Sequence, residues 1–306
     1  MTTNNTSVLR ADTEVAHMIP EVWANKCLGY LPQYLNLINT VTVDFDAEEI
    51  KRYGDRVNVS KRGALTANNK VQGSNVTKQT PSDDEVVITL NKHKEVTFSP
   101  EDVARAFAKP NVIEGYMQDA AMVLAEAVEQ SLADLYTSAG DDLNAGSAVE
   151  LADLRSGRRK LITAKVPKNA PLYAWLDEYA VEDLPLTDAA VLGSAAPVIE
   201  GSIARLAGFN IFESQMANSE GSPLTFHDML YAKSAMGLVI RPLPMDAEAF
   251  GGAKQAVVTD PQTGLSLRVT MSYDANALAP QITLDVLWGC GILRAEHLID
   301  LYHTNG

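Results

Sequence analysis

The chain is organised around residues 112–138, VIEGYMQDAAMVLAEAVEQSLADLYTS. Apolar side chains recur in this stretch at steps of three or four, which is typical of one face of an α-helix. Alanine is frequent, which favours a helix. Asn111 with Glu114 three residues later fits a capping box, and Gly140 is a natural stop. We therefore predict one long helix over 111–138, about 40 Å long at 1.5 Å per residue. Its apolar positions are Ile113, Met117, Ala121, Leu124, Val128, Leu132 and Leu135.

Shorter segments on both sides of this helix have the patterns of β-strands, either alternating apolar and polar residues or short apolar runs. A second helix is predicted over 150–164, and a glycine-, aspartate- and asparagine-rich loop over 141–149. One helical turn is predicted at 231–236. Long-range mixing of strands and helices indicates an α+β fold. The predicted strands are 41–45, 56–60, 85–90, 172–176, 209–214, 222–227, 237–242, 255–259, 265–273 and 281–293.

Residues 51–80 carry a local excess of positive charge. They contain seven basic residues against the single acid Asp55, which gives seven minus one, or +6. The stretch is polar, contains three glycines and lies between two predicted strands, so it predicts a protruding two-stranded loop. A loop of this length without its own core is usually functional or disordered. Two interpretations stay open: an arm that docks on an acidic neighbour, or a plain surface loop. The candidate contact residues are Lys51, Arg52, Arg56, Lys61, Arg62, Lys70 and Lys78.

A smaller basic cluster, RSGRRK, lies at 155–160 in the second predicted helix. Such a cluster forms either a solvated helix face, or an interface or phosphate contact. Its basic residues are Arg155, Arg158, Arg159 and Lys160.

Composition excludes several classes of protein. With 25 basic and 39 acidic residues among 306, the net charge is 25 − 39 = −14, so the whole surface is unsuited to wrapping nucleic acid. Cys27 and Cys290 form neither a disulfide framework nor a CxxC metal site, which indicates a reducing compartment. We find no run of 18 apolar residues and no signal-peptide pattern, so we expect no membrane partner and synthesis in a cytoplasm.

Motifs for catalysis are equally scarce. The sequence has no Walker loop, HExxH, GxSxG or EF-hand spacing, and Gly289-Cys-Gly291 lacks the rest of a dinucleotide loop. His297 and His303, with Glu296, could form a metal site, but a solvated C-terminus is the simpler interpretation. We therefore predict no cofactor, no metal and no enzyme. An enzyme with an unfamiliar site would need a pocket around residues His227, Asp228 and Tyr231.

Taken in order, several segments resemble the major capsid protein of tailed bacteriophages with the HK97 fold, and within it the P22 coat-protein-like branch. The run 54–59, Gly-Asp-Arg-Val-Asn-Val, is similar to the strand that opens the family's extended loop. A strand, Ser-Pro-Glu-Asp and an alanine-rich spine helix follow at 95–136. The remaining similar segments are 208–214, 224–244, 264–274 and 284–289.

The resemblance implies a division of the chain into five parts. These are an N-terminal arm at 1–45, an extended two-stranded loop at 46–95, a peripheral domain with the spine helix at 96–165, an axial domain at 166–280, and a C-terminal strand returning to the peripheral domain at 281–306.

The resemblance also implies a function. It implies a structural coat protein of the virion that self-assembles into hexamers and pentamers. These form an icosahedral head around double-stranded DNA, bound without sequence specificity. A scaffolding protein, a portal and a decoration protein are the further partners that it implies, with synthesis in the cytoplasm of the bacterial host. An encapsulin-like nanocompartment shell protein is the alternative.

Overall fold

The computed structural model describes residues 36–43, 56–62, 65–80, 83–99, 112–184, 204–214, 216, 218–244, 254–259, 265–274 and 279–304. The basic residues Lys51 and Arg52 lie outside this part of the chain.

Within the described residues the chain forms three α-helices and fourteen β-strands. The helices are α1 (Val112–Ala133), α2 (Leu151–Thr163) and α3 (Glu178–Asp183). The strands up to the middle of the chain are β1 (Arg56–Arg62), β2 (Asp83–Thr89), β3 (Lys92–Phe98), β4 (Asp141–Gly146), β5 (Leu172–Leu176), β6 (Ala204–Leu206) and β7 (Phe209–Glu213). The remaining strands are β8 (Asn218–Glu220), β9 (Thr225–Ala232), β10 (Met236–Arg241), β11 (Lys254–Thr259), β12 (Ser266–Asp274), β13 (Ala279–Ile292) and β14 (Leu298–Thr304).

These strands form three sheets. β1 and β2 make a two-stranded antiparallel ribbon. A five-stranded sheet has the order β10-β13-β12-β11, with β3 also paired to β13. A seven-stranded sheet has the order β4-β14-β9-β5-β7-β6, with β8 also paired to β9. Among the paired strands of the described residues, β4–β14 and β5–β7 are parallel and the others antiparallel. The α+β fold class is confirmed.

The long helix forms as its periodicity predicts. α1 is continued by a 3-10 helix over Asp134–Ser138, so the helical stretch reaches the predicted end. Its buried face packs on β3 and β13, where Trp288 is fully buried. Among the described helices none is long and apolar enough to cross a membrane. The buried residues of α1 that join this core include Met117, Ala121, Leu124, Val128 and Leu132.

A second apolar core lies under the seven-stranded sheet. Leu154 and Leu161 of α2 are fully buried against strand residues such as Phe209, Ile211 and Leu230. Glu150 caps α2 together with Asp153 in a reciprocal capping box, which explains why the helix begins at Leu151. The apolar face of this helix therefore covers one side of the sheet.

Two local predictions were wrong. The polar stretch 141–149 was expected to be a loop, but its first part forms β4, whose backbone pairs in parallel with β14. The predicted helical turn at 231–236 is instead the end of β9 and the start of β10. In both places pairing with a distant strand satisfies the backbone hydrogen bonds, and this outweighs the local preference of the residues.

Candidate intersubunit surface

The two-stranded ribbon is attached to the body of the protein at its base. Its register runs from Arg56 opposite Thr89 to Arg62 opposite Asp83. A small apolar cluster lies at this base. It buries the side chains of Val57 in β1 and Ile88 in β2, together with Leu90 and Val239. The base of the ribbon is therefore held by packing against β10.

A close backbone approach reinforces this attachment. A Cβ atom placed on Gly289 of β13 would lie 2.3 Å from the carbonyl oxygen of Thr89, at the end of β2. Such a contact is far inside van der Waals distance, so only glycine allows the two backbones to pass this closely. The glycine run that superficially resembles a dinucleotide loop thus serves packing between strands.

Beyond the ribbon, the chain projects as an extended segment, residues 65–80, which we call the tip. Every residue of the tip is exposed to solvent. The backbone N–H of Thr66 donates to Oε1 of Gln79 at 2.8 Å, which ties its two ends together. At its far end the N–H of Ser74 donates to the carbonyl of Val71 at 3.2 Å, and Gly73 adopts a φ of 83°. Local hydrogen bonds therefore organise the tip.

The side chains of the tip are both apolar and basic. Leu65, Val71 and Val76 are 71%, 66% and 66% exposed. Lys70 and Lys78 are exposed too, and the tip contains no acidic residue. Three large apolar side chains exposed along one short segment make the tip a candidate contact surface for another protein.

The other predicted contact residues of the loop have different surroundings. Lys61 forms an ion pair with Glu296, with Nζ 3.1 Å from Oε1, so part of its charge is compensated within the chain. Arg56 is exposed at the start of β1. The backbone of Arg62 lies at the end of β1, opposite Asp83. The docking role of these residues remains a prediction.

The basic cluster on α2 divides in the same way. Nη1 of Arg158 donates to the carbonyl of Ala207 at 3.1 Å, and Nζ of Lys160 lies 2.8 Å from Oδ1 of Asp141. Arg155 and Arg159 are exposed. Two of the four side chains thus also make contacts within the chain. The external contact predicted for all four residues remains a prediction.

The segment before the loop is fastened to α1 by a buried acid. Oε1 of Glu129 accepts a hydrogen bond from the N–H of Leu37 at 2.9 Å and another from the N–H of Asn36. Leu37 begins a 3-10 helix whose residues Leu37 and Ile38 are almost fully buried. Burial raises the pKa of Glu129 to about 7, even though the two donors favour the carboxylate.

Glu129 makes stability depend on pH in a defined direction. Between about pH 4.5 and 7 the folded state keeps a proton that the unfolded state has lost, so the free energy of unfolding falls as pH rises. Glu129→Gln still offers an oxygen to both N–H groups but cannot titrate. We expect this variant to lose up to about 3 kcal/mol of the pH-dependent change. Denaturant unfolding at pH 4.5 and 7.5 measures the difference.

Asp119→Asn is the matched control, because it removes an exposed acid on the same helix. This control should retain the pH dependence of the wild type. An unchanged pH dependence in Glu129→Gln would show that the buried carboxyl does not hold its proton in this window.

The residues considered for an enzyme do not converge. Successive residues of a strand point to opposite faces, so His227 and Asp228 of β9 face apart. His227 pairs through Nδ1 with Asp300 at 2.9 Å. The hydroxyl of Tyr231 lies 2.6 Å from Oγ1 of Thr40, in the core beneath α1. These groups therefore do not share one pocket.

The suggested metal site near the C-terminus does not form either. Nδ1 of His297 lies 2.8 Å from Oγ of Ser234, whereas His303 contacts Asp177. His303 is buried, so the expectation of a solvated C-terminus was wrong for this residue. Sequence reasoning missed the group that Asp177, Asp228 and His303 form. No local spacing indicates it, because the three residues lie on distant elements.

Comparison by sequence gives no identification: no protein-family model matches the chain, and no curated protein does. Comparison by structure is informative. The chain is similar to a structure of Mycobacterium phage Che8, with a TM-score of 0.61, 18% identity and coverage of 86% of this chain and 89% of that one. It is similar to the capsid structure of the cyanophage P-SCSP1u, with a TM-score of 0.58, 17% identity and coverage of 88% and 87%.

The chain also resembles an encapsulin, the SrpI protein of Synechococcus elongatus. That match has a TM-score of 0.50 and 10% identity, and covers 73% of this chain and 76% of the other. Together these similarities define the class: the chain has the HK97-like fold of phage capsid proteins, over most of its length. The predicted fold is therefore confirmed.

Proposed function

We propose that the chain is the subunit of a protein shell, the major capsid protein of a tailed phage. Subunits assemble as hexamers and pentamers into an icosahedral head that encloses double-stranded DNA. The role is structural, without a catalysed reaction. Support comes from the fold, which is similar to a cyanophage capsid structure over most of both chains.

The single observation that carries the proposal is the contrast between the base and the tip of the two-stranded loop. The base is held by buried side chains such as Val57 and Ile88. The tip is exposed along its whole length and displays Val71, Val76 and Lys70. A subunit that works alone gains nothing from an ordered, apolar and basic projection. A subunit in a shell can place it over a neighbour.

Charge suits the same arrangement. The loop is basic while the chain as a whole carries −14, so a neighbouring copy offers acidic surface to it. Complementary charge sets the register and geometry of such contacts more than their affinity. Each contact is then repeated around the symmetry axes of a closed assembly, and many weak contacts sum to a stable shell.

The finer assignments belong to this proposal. We place the chain in the P22 coat-protein-like branch, with an arm at 1–45, a loop at 46–95, a peripheral domain at 96–165, an axial domain at 166–280 and a C-terminal strand at 281–306. Production in the host cytoplasm, a scaffolding protein, a portal and a decoration protein complete the proposed assembly.

A nanocompartment shell is the second candidate, favoured by the similarity to the SrpI encapsulin. That protein was solved as a holo encapsulin complex. The two functions predict different interiors: packaged DNA in a phage head, and a cargo protein in a nanocompartment.

Electron microscopy of the purified chain, expressed with and without a scaffolding partner and fractionated by size, tests the proposal. We expect closed shells that contain many subunits and measure on the order of tens of nanometres across. Nucleic acid inside shells from infected cells supports the phage head, and a co-purifying enzyme supports the nanocompartment. A monomer or dimer under all conditions would contradict both.

A further inference from the structure

A cluster of two aspartates and a histidine is buried in the seven-stranded sheet. Asp177 follows β5 and caps α3, Asp228 lies in β9, and His303 lies in β14. The pairing of β9 with both β5 and β14 brings the three residues together. Their exposed fractions are 3%, 0% and 1%, so all three are removed from water.

Each carboxylate is oriented by the backbone through one of its oxygens. Oδ1 of Asp177 accepts the N–H of Ala180 at 2.7 Å, and Oδ1 of Asp228 accepts the N–H of Asp177 at 2.7 Å. The other oxygen of each, Oδ2, is buried and has no hydrogen-bond partner within the part of the chain that is described. Oδ2 of Asp228 lies 3.5 Å from Nε2 of His303. Orientation of a ligand by such outer contacts is typical of metal sites.

The charge of this group is unbalanced. Two carboxylates and a neutral imidazole sum to −2, and protonating His303 still leaves −1. Both carboxylates are removed from water, and their Oδ2 atoms have no hydrogen-bond partner in the described part of the chain. An uncompensated negative charge is costly in such surroundings, so the site favours a bound positive charge.

The distances have the scale of a coordination site. Nε2 of His303 lies 3.2 Å from Oδ1 of Asp177 and 3.5 Å from Oδ2 of Asp228, and the potential ligand atoms all lie within 4.8 Å of one another. Tetrahedral ligands at 2.0–2.1 Å from a zinc ion stand about 3.3 Å apart. The ring of His303 is also fixed, by stacking on Phe226 with centroids 5.4 Å apart.

We propose that Asp177, Asp228 and His303 bind one divalent transition-metal ion, with Zn²⁺ as the preferred ion. One imidazole nitrogen and two carboxylate oxygens suit Zn²⁺, whereas Mg²⁺ and Ca²⁺ prefer oxygen ligands alone. The ion neutralises the −2 charge. It joins the start of α3 to β9 and β14, so its role is to stabilise this sheet. The site is independent of the shell function.

Zinc titration of the full-length protein, after chelator treatment and dialysis, tests the site. We expect the wild type to retain about one equivalent of Zn²⁺ through gel filtration, and its Tm to rise by about 5 °C at a hundredfold excess over Kd. Asp228→Asn keeps an oxygen for the N–H of Asp177 but loses the ligand oxygen. It should bind at least about tenfold more weakly and show no comparable rise in Tm.

Asp300→Asn is the matched control. Asp300 lies in β14, three residues before His303, and pairs with His227 outside the proposed site, so this variant should bind Zn²⁺ like the wild type. Co²⁺ titration of the wild type gives a second readout, because Co²⁺ bound by a nitrogen ligand absorbs visible light. This measurement requires no variant. Wild-type protein that retains no stoichiometric Zn²⁺ and gives no Co²⁺ band would overturn the proposal. So would Asp228→Asn binding as tightly as wild type. The three residues would then be a buried ion pair only.

Discussion

Replacing Val71 and Val76 with aspartate is expected to abolish shell assembly while leaving the subunit folded. Both side chains are 66% exposed in the isolated subunit, so the substitutions remove little internal packing. In the proposed shell a neighbouring subunit covers the tip, and an unpaired carboxylate buried in an apolar contact costs about several kcal/mol. Because the contact recurs at every subunit, we expect the assembled fraction to fall by more than about 100-fold.

Size-exclusion chromatography with electron microscopy measures the assembled fraction, and thermal unfolding confirms that the subunit is intact. Asn68→Asp with Asn69→Asp is the matched control. It adds the same two charges to the same exposed segment without removing apolar surface. This control should assemble far better than the Val71 and Val76 variant. Normal shells from the valine variant would show that the tip makes no essential contact.

Replacing Gly289 with alanine is expected to detach the two-stranded loop from the body of the subunit. The new Cβ would lie 2.3 Å from the carbonyl oxygen and 2.8 Å from the carbonyl carbon of Thr89. These are backbone atoms, so no rotamer change relieves the clash and the connection after β2 must move. Overpacking of this kind costs about 1–3 kcal/mol, and we expect a value near the upper limit.

Gly291→Ala is the control, two residues further along β13. Its Cβ would meet only a side-chain atom of Ile88, at 3.3 Å, which can shift by a few tenths of an ångström. Urea unfolding should therefore give a loss below about 1 kcal/mol for Gly291→Ala. The hydrogen-exchange rate of the Val57 amide should rise in Gly289→Ala but not in Gly291→Ala. Equal effects of the two substitutions would contradict the close backbone contact.

The elements with strong local patterns were predictable from the sequence. The periodic apolar residues of 112–138 produced α1 and its 3-10 extension, and residues 150–164 produced α2 almost to the residue. Alternation predicted β1 and the strand at 85–90, whose pairing makes the ribbon. Each of these depends on neighbours close in the chain, which is why periodicity is sufficient.

Elements held by distant partners were not predictable. The segment DDLNAG of β4 has the composition of a loop, and it is a strand because β14 offers it backbone partners. β14 itself was not expected, although β9 and β4 pair with it on both sides. Strand formation in such places is decided by the available edge of a sheet rather than by propensity.

The candidate contact surface was predictable as a region but not residue by residue. Net charge and the lack of a core indicated a projecting basic loop at 51–80. Only the folded chain brings Lys61 to Glu296 and Lys160 to Asp141, which engages both lysines within the subunit. The apolar part of the tip, Val71 and Val76, carried no signal in a stretch that looked simply polar.

The order of the amino acids by itself determined the long helix, the basic loop and the absence of the catalytic motifs sought. These follow from composition and from spacing over a few residues. Tertiary structure alone decided that Glu129 fastens the segment at 36–43 to α1. It also decided that Asp177, Asp228 and His303 meet in one buried site. The pKa and the binding capacity of a side chain depend on which distant groups exclude water from it, and only the fold supplies those groups.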